Sequence, residues 1–203
     1  MPGSLLRVSG LSLERGSRRL LRDFDLEVNG GDLVLVEGPN GSGKTTLLRS
    51  LAGLSSLGRE GNIERHASST LYLGHRAGIK QLLTPRENLR WACAAEGWSA
   101  EGIDGALQQV GLEGCGDLLS QNLSAGQQRR VNLARLYLSA ASGAAQTLWL
   151  LDEPFTAIDR KGVQALTATI AGQVRGGGAV ILTSHQDLAI DMPLRKVVLG
   201  GQS

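Results

Sequence analysis

The sequence predicts an α/β fold with a mostly parallel core sheet, an N-terminal antiparallel β region and a small inserted helical subdomain. Three observations carry that expectation. The runs DLVLVEG, TLWLLDE and AVILTSH are short, apolar and bounded by turn signals, as in strands buried on both faces. Stretches with helical spacing of apolar residues alternate with them, the order that builds a parallel sheet covered by helices. The first run also leads directly into the glycine-rich GPNGSGKT at residues 38–45.

Taken in order, residues 5–8 and 20–28 read as short strands split by the polar turn ERGSRR. Residues 32–38 form a buried strand. From Gly43, the recurrence of Leu47, Leu48, Leu51 and Leu54 predicts a helix, with Gly58 beyond its end. Residues 70–73 are a further strand. From Pro85 to Leu119 the pattern is helical and broken by glycines, an inserted lobe that extends over about residues 76–140. Residues 123–140 form a helix behind a Ser-Ala-Gly turn, residues 161–174 another, and KVVLG a last short strand. SAASGAAQT, before the second acidic strand end, is expected to be a surface loop. The whole of residues 1–203 is expected to be a single domain.

Composition narrows the possibilities. With 203 residues, 41% of them hydrophobic and 20% charged, the chain can bury a core and is not a disordered one. A net charge of +2 gives no electrostatic reason to expect nucleic acid as a partner. Cys93 and Cys115 have neither disulfide-framework nor metal spacing. The N-terminus lacks the apolar run of a signal peptide, and LYLSAASGAAQTLWLL is too short and too polar to span a bilayer. Any work at a membrane therefore needs a partner that crosses it.

Two motifs carry the chemistry. GPNGSGKT matches G-x-x-x-x-G-K-[ST] with a strand before and a helix after it, the phosphate loop of P-loop NTPases. Gly38, Pro39, Asn40, Gly41, Ser42 and Gly43 would turn backbone N–H groups toward a polyphosphate at a helix N-terminus. Lys44 would reach the β- and γ-phosphates, Thr45 would bind Mg²⁺, and Thr46 continues the cradle. In LWLLDEP, four apolar residues carry Asp152 and Glu153 to the carboxyl end of a strand, where α/β sheets bind ligands. Asp152 is expected in the Mg²⁺ shell and Glu153 as the general base for an attacking water. His185 ends the later strand and is expected to touch the γ-phosphate. A nucleotide and Mg²⁺ are thus the expected ligands, and the resemblance below makes the nucleotide ATP.

The order phosphate loop, LSAGQ, LLDEP, TAID and late histidine resembles that of the ATP-binding cassette (ABC) ATPases, and LSAGQ is its most specific part. The resemblance implies a head-to-tail homodimer that sandwiches two ATP molecules. Ser124, Gly126 and Gln127 of one copy would then cap the γ-phosphate held by the other copy's phosphate loop. TAID at residues 156–159 resembles the D-loop that crosses that interface; read on its own, it is a helix-capping turn with Asp159 as N-cap.

The chain also departs from the family. His75 stands where a Mg²⁺-binding glutamine is usual; its ring nitrogen suits Mg²⁺ less well than an amide oxygen, so it would act through water or as a coupling residue. Leu13, Glu14 and Arg15 fill the region of the adenine-stacking aromatic; Arg15 either stacks on the base or is a solvated charge. LGHRAGIK, LSAGQQRRVNLARL and LDEPFTAID are together similar to the ATP-binding subunits of cytochrome c maturation (haem exporter) complexes. That resemblance implies integral membrane partners and a peripheral position on the cytoplasmic face of the bacterial inner membrane. The work would be haem export or delivery, or release of the haem chaperone, with transport of another small solute as the alternative. No C-x-x-C-H occurs, so haem is not expected to bind this chain directly.

Overall fold

The structure, a computed structural model, describes residues 3–16, 18–56, 58–75, 78–143, 145–156, 158–184 and 190–200. In chain order its elements begin β1 (Ser4–Arg15), β2 (Arg18–Asn29), β3 (Leu33–Glu37), α1 (Lys44–Leu51), β4 (Arg59–Arg65) and β5 (Ser69–Leu73). They continue α2 (Pro85–Glu96), α3 (Ile103–Gln109), α4 (Ala125–Ala141), β6 (Thr147–Leu151), α5 (Arg160–Arg175), β7 (Ala179–Thr183) and β8 (Arg195–Val198). The chain divides into two compact units: Met1–Tyr72, Ala145–Pro154 and Gln173–Ser203 in the first, and Leu73–Ala144 with Phe155–Gly172 in the second.

The first unit carries two sheets. An antiparallel sheet has the order β2-β1-β4, and a second sheet the order β5-β6-β7-β3-β8. In the second, β3 pairs parallel with β7 and β8, and β6 pairs parallel with β7. β6 and β7 are buried at every position, and β3 at four of its five. Apolar residues on consecutive positions, rather than alternate ones, are what a strand covered on both faces requires. Their core includes Leu47, Leu48 and Leu51 of α1, all fully buried.

The N-terminal strands are longer than the sequence pattern indicates. β1 continues past Gly10 because Leu11 and Leu13 bury their side chains in the same core as Leu6 and Val8. Gly10 interrupts the alternation with a φ of 59°, and its N–H donates to Asp25. β4 carries almost no sequence signal, since Ile63 is its one buried residue. It needs Gly61, where a Cβ would lie 2.4 Å from the Gly10 carbonyl oxygen.

α1 stops at Leu51, earlier than Leu54. Gly53 has a φ of 74°, and Leu54 is 55% exposed. The guanidinium of Arg65 donates to the carbonyls of Ser50 and Leu51, both at 2.7 Å, and satisfies groups that a longer helix would have bonded internally.

In the second unit, α2, α3 and α4 enclose Leu89, Cys93, Ile103, Leu107, Val131 and Leu138. Thr84 starts α2 with a capping box to Glu87, and Pro85 occupies the first turn, where a missing N–H costs nothing. Cys93 and Cys115 are free thiols. α4 absorbs the first residues of SAASGAAQT, which leaves a shorter turn before β6 than the expected loop. Among the described residues, no helix is long and apolar enough to cross a membrane.

Candidate active site

The strand order β6-β7-β3 brings three carboxyl ends side by side on one edge of the sheet. That is where open α/β sheets bind ligands. Register then aligns individual residues. Leu151 pairs with Leu182 and Val36 with Thr183, so Asp152 comes level with Thr183.

After β3 the chain curls through residues 38–43 before α1 begins. A Cβ at Gly38 would meet the Leu199 carbonyl oxygen at 2.6 Å and Ser42 Oγ at 2.7 Å, so only glycine lets the curl close. Gly43 is the N-cap of α1 with a φ of 101°, and among the described residues no side chain caps that helix. The first-turn N–H groups and the positive end of the helix dipole are therefore offered to a ligand. Lys44 is buried, and its Nζ donates to the carbonyls of Gly38 at 2.6 Å and Pro39 at 3.2 Å. Its charge is held inside the loop. Ser42 is also buried, and its Oγ has no hydrogen-bond partner among the described residues. An orphaned hydroxyl, a lysine and a helix N-terminus together fit a phosphoryl group, which supplies acceptors only.

Asp152 is 3% exposed and follows directly on β6. Its two oxygens accept from two threonines. Thr45 Oγ1 donates to Oδ2 at 2.8 Å, and Thr183 Oγ1 donates to Oδ1 at 3.0 Å. Thr183 also accepts the Glu153 N–H at 2.9 Å. Glu153 is half-buried and has a φ of 54°, left-handed backbone that a side chain with a Cβ seldom adopts. The phenol of Tyr72 is pushed up from its ordinary pKa by burial first and by the charge of Asp152 second, so it stays protonated. Thr45 and Asp152 form a pair of hard oxygen donors, the type that suits Mg²⁺.

The second unit holds the other motif. Ser124 Oγ accepts the Gln127 N–H at 3.2 Å, and Gln127 Oε1 accepts the Ser124 N–H at 2.8 Å, a complete capping box at the start of α4. Among the described residues, nothing beyond its own helix backbone and chain neighbours lies within 4 Å of a Cβ built on Gly126. Gln128 Nε2 donates to the carbonyls of Ser120 and Leu123, and Arg129 Nη1 donates to the His75 carbonyl at 2.7 Å. The turn is thus fastened on both sides. His75 is exposed, and Asp159 accepts the Gly162 N–H at 2.8 Å as the cap of α5.

Of the residues singled out from sequence, 38–46, Asp152 and Glu153 belong to the first unit; Ser124, Gly126, Gln127 and His75 belong to the second. His185 lies outside the described residues. Thr183 was not singled out. Its signal was a hydroxyl at the end of an otherwise apolar run, two residues before the candidate histidine.

The ABC transporter family model matches residues 21–156. The chain belongs to the ABC transporter family. It is 46% identical over 211 residues to the cytochrome c biogenesis ATP-binding export protein CcmA of Hahella chejuensis, a match covering 98% of this chain and 97% of that protein. The protein of the same name from Pseudomonas putida is 50% identical over 194 residues, covering 90% of each. A solved ATP-binding subunit of an ABC transporter has a TM-score of 0.76 at 24% identity, covering 89% of this chain and 79% of that one. A dimeric ATP-binding cassette, solved in a post-hydrolysis state with ADP and Pi, has a TM-score of 0.75 at 20% identity, covering 89% and 88%. These neighbours share the expected fold class, a parallel core sheet with an antiparallel region. The chain is an ABC ATP-binding subunit and an ATPase.

Proposed function

We propose that this ABC ATPase drives a membrane transporter of cytochrome c biogenesis that exports or delivers haem or releases its chaperone. Identity of 46% and 50% to two cytochrome c biogenesis export proteins, across nine-tenths or more of each chain, supports the pathway. One geometric observation carries the chemistry. The carboxylate of Asp152 is gripped between Thr45 of the phosphate loop and Thr183 of β7, with Glu153 next in the chain.

In this reading the curl of residues 38–46 wraps the ATP phosphates, and Lys44 exchanges its own loop carbonyls for phosphate oxygens. Mg²⁺ would be held by Thr45 and Asp152, where it neutralises phosphate charge. Glu153 orients a water and takes its proton; His185 meets the γ-phosphate. A second copy of the chain completes the pocket. Its Ser124 hydroxyl and Gln127 side-chain amide approach as donors and Gly126 as open backbone, and the N-terminus of its α4 points a partial positive charge at the phosphate. The homodimer is two-fold, so the same surfaces serve both pockets. Integral membrane subunits receive the closure near His75, and the chain sits on the cytoplasmic face of the bacterial inner membrane without crossing it.

Deleting the gene in its own host tests the reading. Covalently attached c-type haem should vanish on a haem stain while b-type haem persists. A plasmid copy should restore it and a Lys44→Ala copy should not. Unchanged c-type cytochromes in the deletion strain would overturn the pathway, and full rescue by Lys44→Ala would overturn the ATP site.

A further inference from the structure

We infer that Thr183 is a positioning residue for hydrolysis, setting the orientation of the Asp152 carboxylate and the backbone of Glu153 through one hydroxyl. The inference rests on the reading of residues 38–46, Asp152 and Glu153 as a hydrolytic site.

Thr183 is wholly buried at the end of β7, behind Ala179, Val180, Ile181 and Leu182, which are equally buried. A threonine there has a bland explanation: a β-branched residue that fits a strand and finds some main-chain acceptor. The bonds it makes are different. Its single proton goes to Asp152 Oδ1 at 3.0 Å, and its oxygen accepts the Glu153 N–H at 2.9 Å. Both partners are the acidic residues of the site, and neither is on its own strand.

Strand order explains why this position can do so. β7 runs between β6 and β3, and the register sets Thr183 beside Val36 on one side and level with Asp152 on the other. With Oδ1 occupied by Thr183, the carboxylate is turned so that Oδ2 meets Thr45 at 2.8 Å. The same hydroxyl anchors the N–H of a residue whose φ is 54°, so the departure of the chain from β6 is fixed where Glu153 must aim its side chain. Valine has nearly the same shape as threonine but can make neither bond. The carboxylate would keep Thr45 but lose the bond that fixes Oδ1, and the Glu153 N–H would lose the hydroxyl that accepts it. Partners one step removed from a reacting or ligating group typically change activity by about 10–100-fold when removed.

The test compares Thr183→Val and Thr183→Ser in the full-length chain, with ATP hydrolysis, nucleotide affinity and Mg²⁺ dependence measured for each. Thr183→Val should lower kcat by about 10–100-fold. Its KM for ATP should change less than about threefold, and half-saturation in Mg²⁺ should move to higher concentration. Thr183→Ser, which keeps the hydroxyl, should recover kcat to within about threefold of the parent. A purely structural role would change folded yield and thermal midpoint while sparing kcat per folded chain. Parental kcat and Mg²⁺ dependence in Thr183→Val would overturn the inference. So would a serine variant as slow as the valine one. If the valine chain does not fold, Thr183→Ser and Thr183→Cys carry the comparison: equal kcat in the two would overturn it, and a cysteine variant at least tenfold slower than serine would support it. Lys44→Ala separates the levels, because an active Lys44→Ala chain would sink the hydrolytic site itself, whatever Thr183 does.

Discussion

Replacing Glu153 with glycine should give a more stable chain than replacing it with alanine. Both changes remove the carboxylate and both keep the N–H that Thr183 accepts at 2.9 Å, so the comparison isolates the backbone. The φ of Glu153 is 54°. A Cβ in left-handed backbone costs about 1–2 kcal/mol. Glycine returns some of that by its larger freedom when unfolded, about 0.4–1 kcal/mol. The balance favours glycine by roughly 0.5–1 kcal/mol, whereas in regular helix or strand alanine wins by about the same amount. With a urea slope of about 2 kcal/mol/M, the midpoints should differ by about 0.3–0.5 M. Trp149 reports locally, since it is fully buried in the strand that leads to Glu153. Unfolding should be followed by its fluorescence in a background where Trp91 and Trp98 are phenylalanine. An alanine variant as stable as the glycine variant, or more so, would refute the claim that position 153 is strained. Neither variant should hydrolyse ATP at a measurable rate.

Three further outcomes are expected. Glu153→Gln should bind ATP with near-parental affinity but turn over at least about 100-fold more slowly, and should accumulate as an ATP-bound dimer in gel filtration. Ser124→Ala should lose about 1 kcal/mol of stability with its capping box, seen as a lower thermal midpoint, and should also lose turnover; mixing it with Lys44→Ala chains should recover some activity in mixed dimers. Arg65→Met should lose about 1 kcal/mol by removing two donors from the end of α1, with turnover per folded chain within about twofold of the parent because the other end of α1 faces the phosphate loop.

Much of the fold could be read from sequence because its core strands are buried at almost every position. DLVLVEG, TLWLLDE and AVILTSH became β3, β6 and β7 within one or two residues at each end. The helix read over 123–140 became α4 at Ala125–Ala141, with Ser124 as its N-cap. β4 was invisible: with Ile63 alone buried, it is held by pairing with β1, which local pattern does not encode. α1 was read too long because Leu54 keeps helical spacing while Gly53 and a guanidinium from β4 end the helix. The motif residues of the site could be named, but the way they join could not. Thr183 meets Asp152 and Glu153 across 31 and 30 residues, a meeting set by strand order and register rather than spacing.

The strain at Glu153 is tolerable because of where it falls. Leu148, Trp149, Leu150 and Leu151 are each completely buried, and burial of each is worth about 1.5–3 kcal/mol. Together they outweigh a left-handed residue at about 1–3 kcal/mol several times over. Pro154 closes one relaxed alternative, right-handed helical backbone, and leaves the extended one open to Glu153. The chain nevertheless leaves the strand sharply at Glu153, where Thr183 accepts its N–H and sets the direction of the exit. The rigidity of the sheet is thereby transferred to two acidic side chains, and the transfer depends on a hydroxyl that any of the neighbouring aliphatic residues of β7 would have lacked.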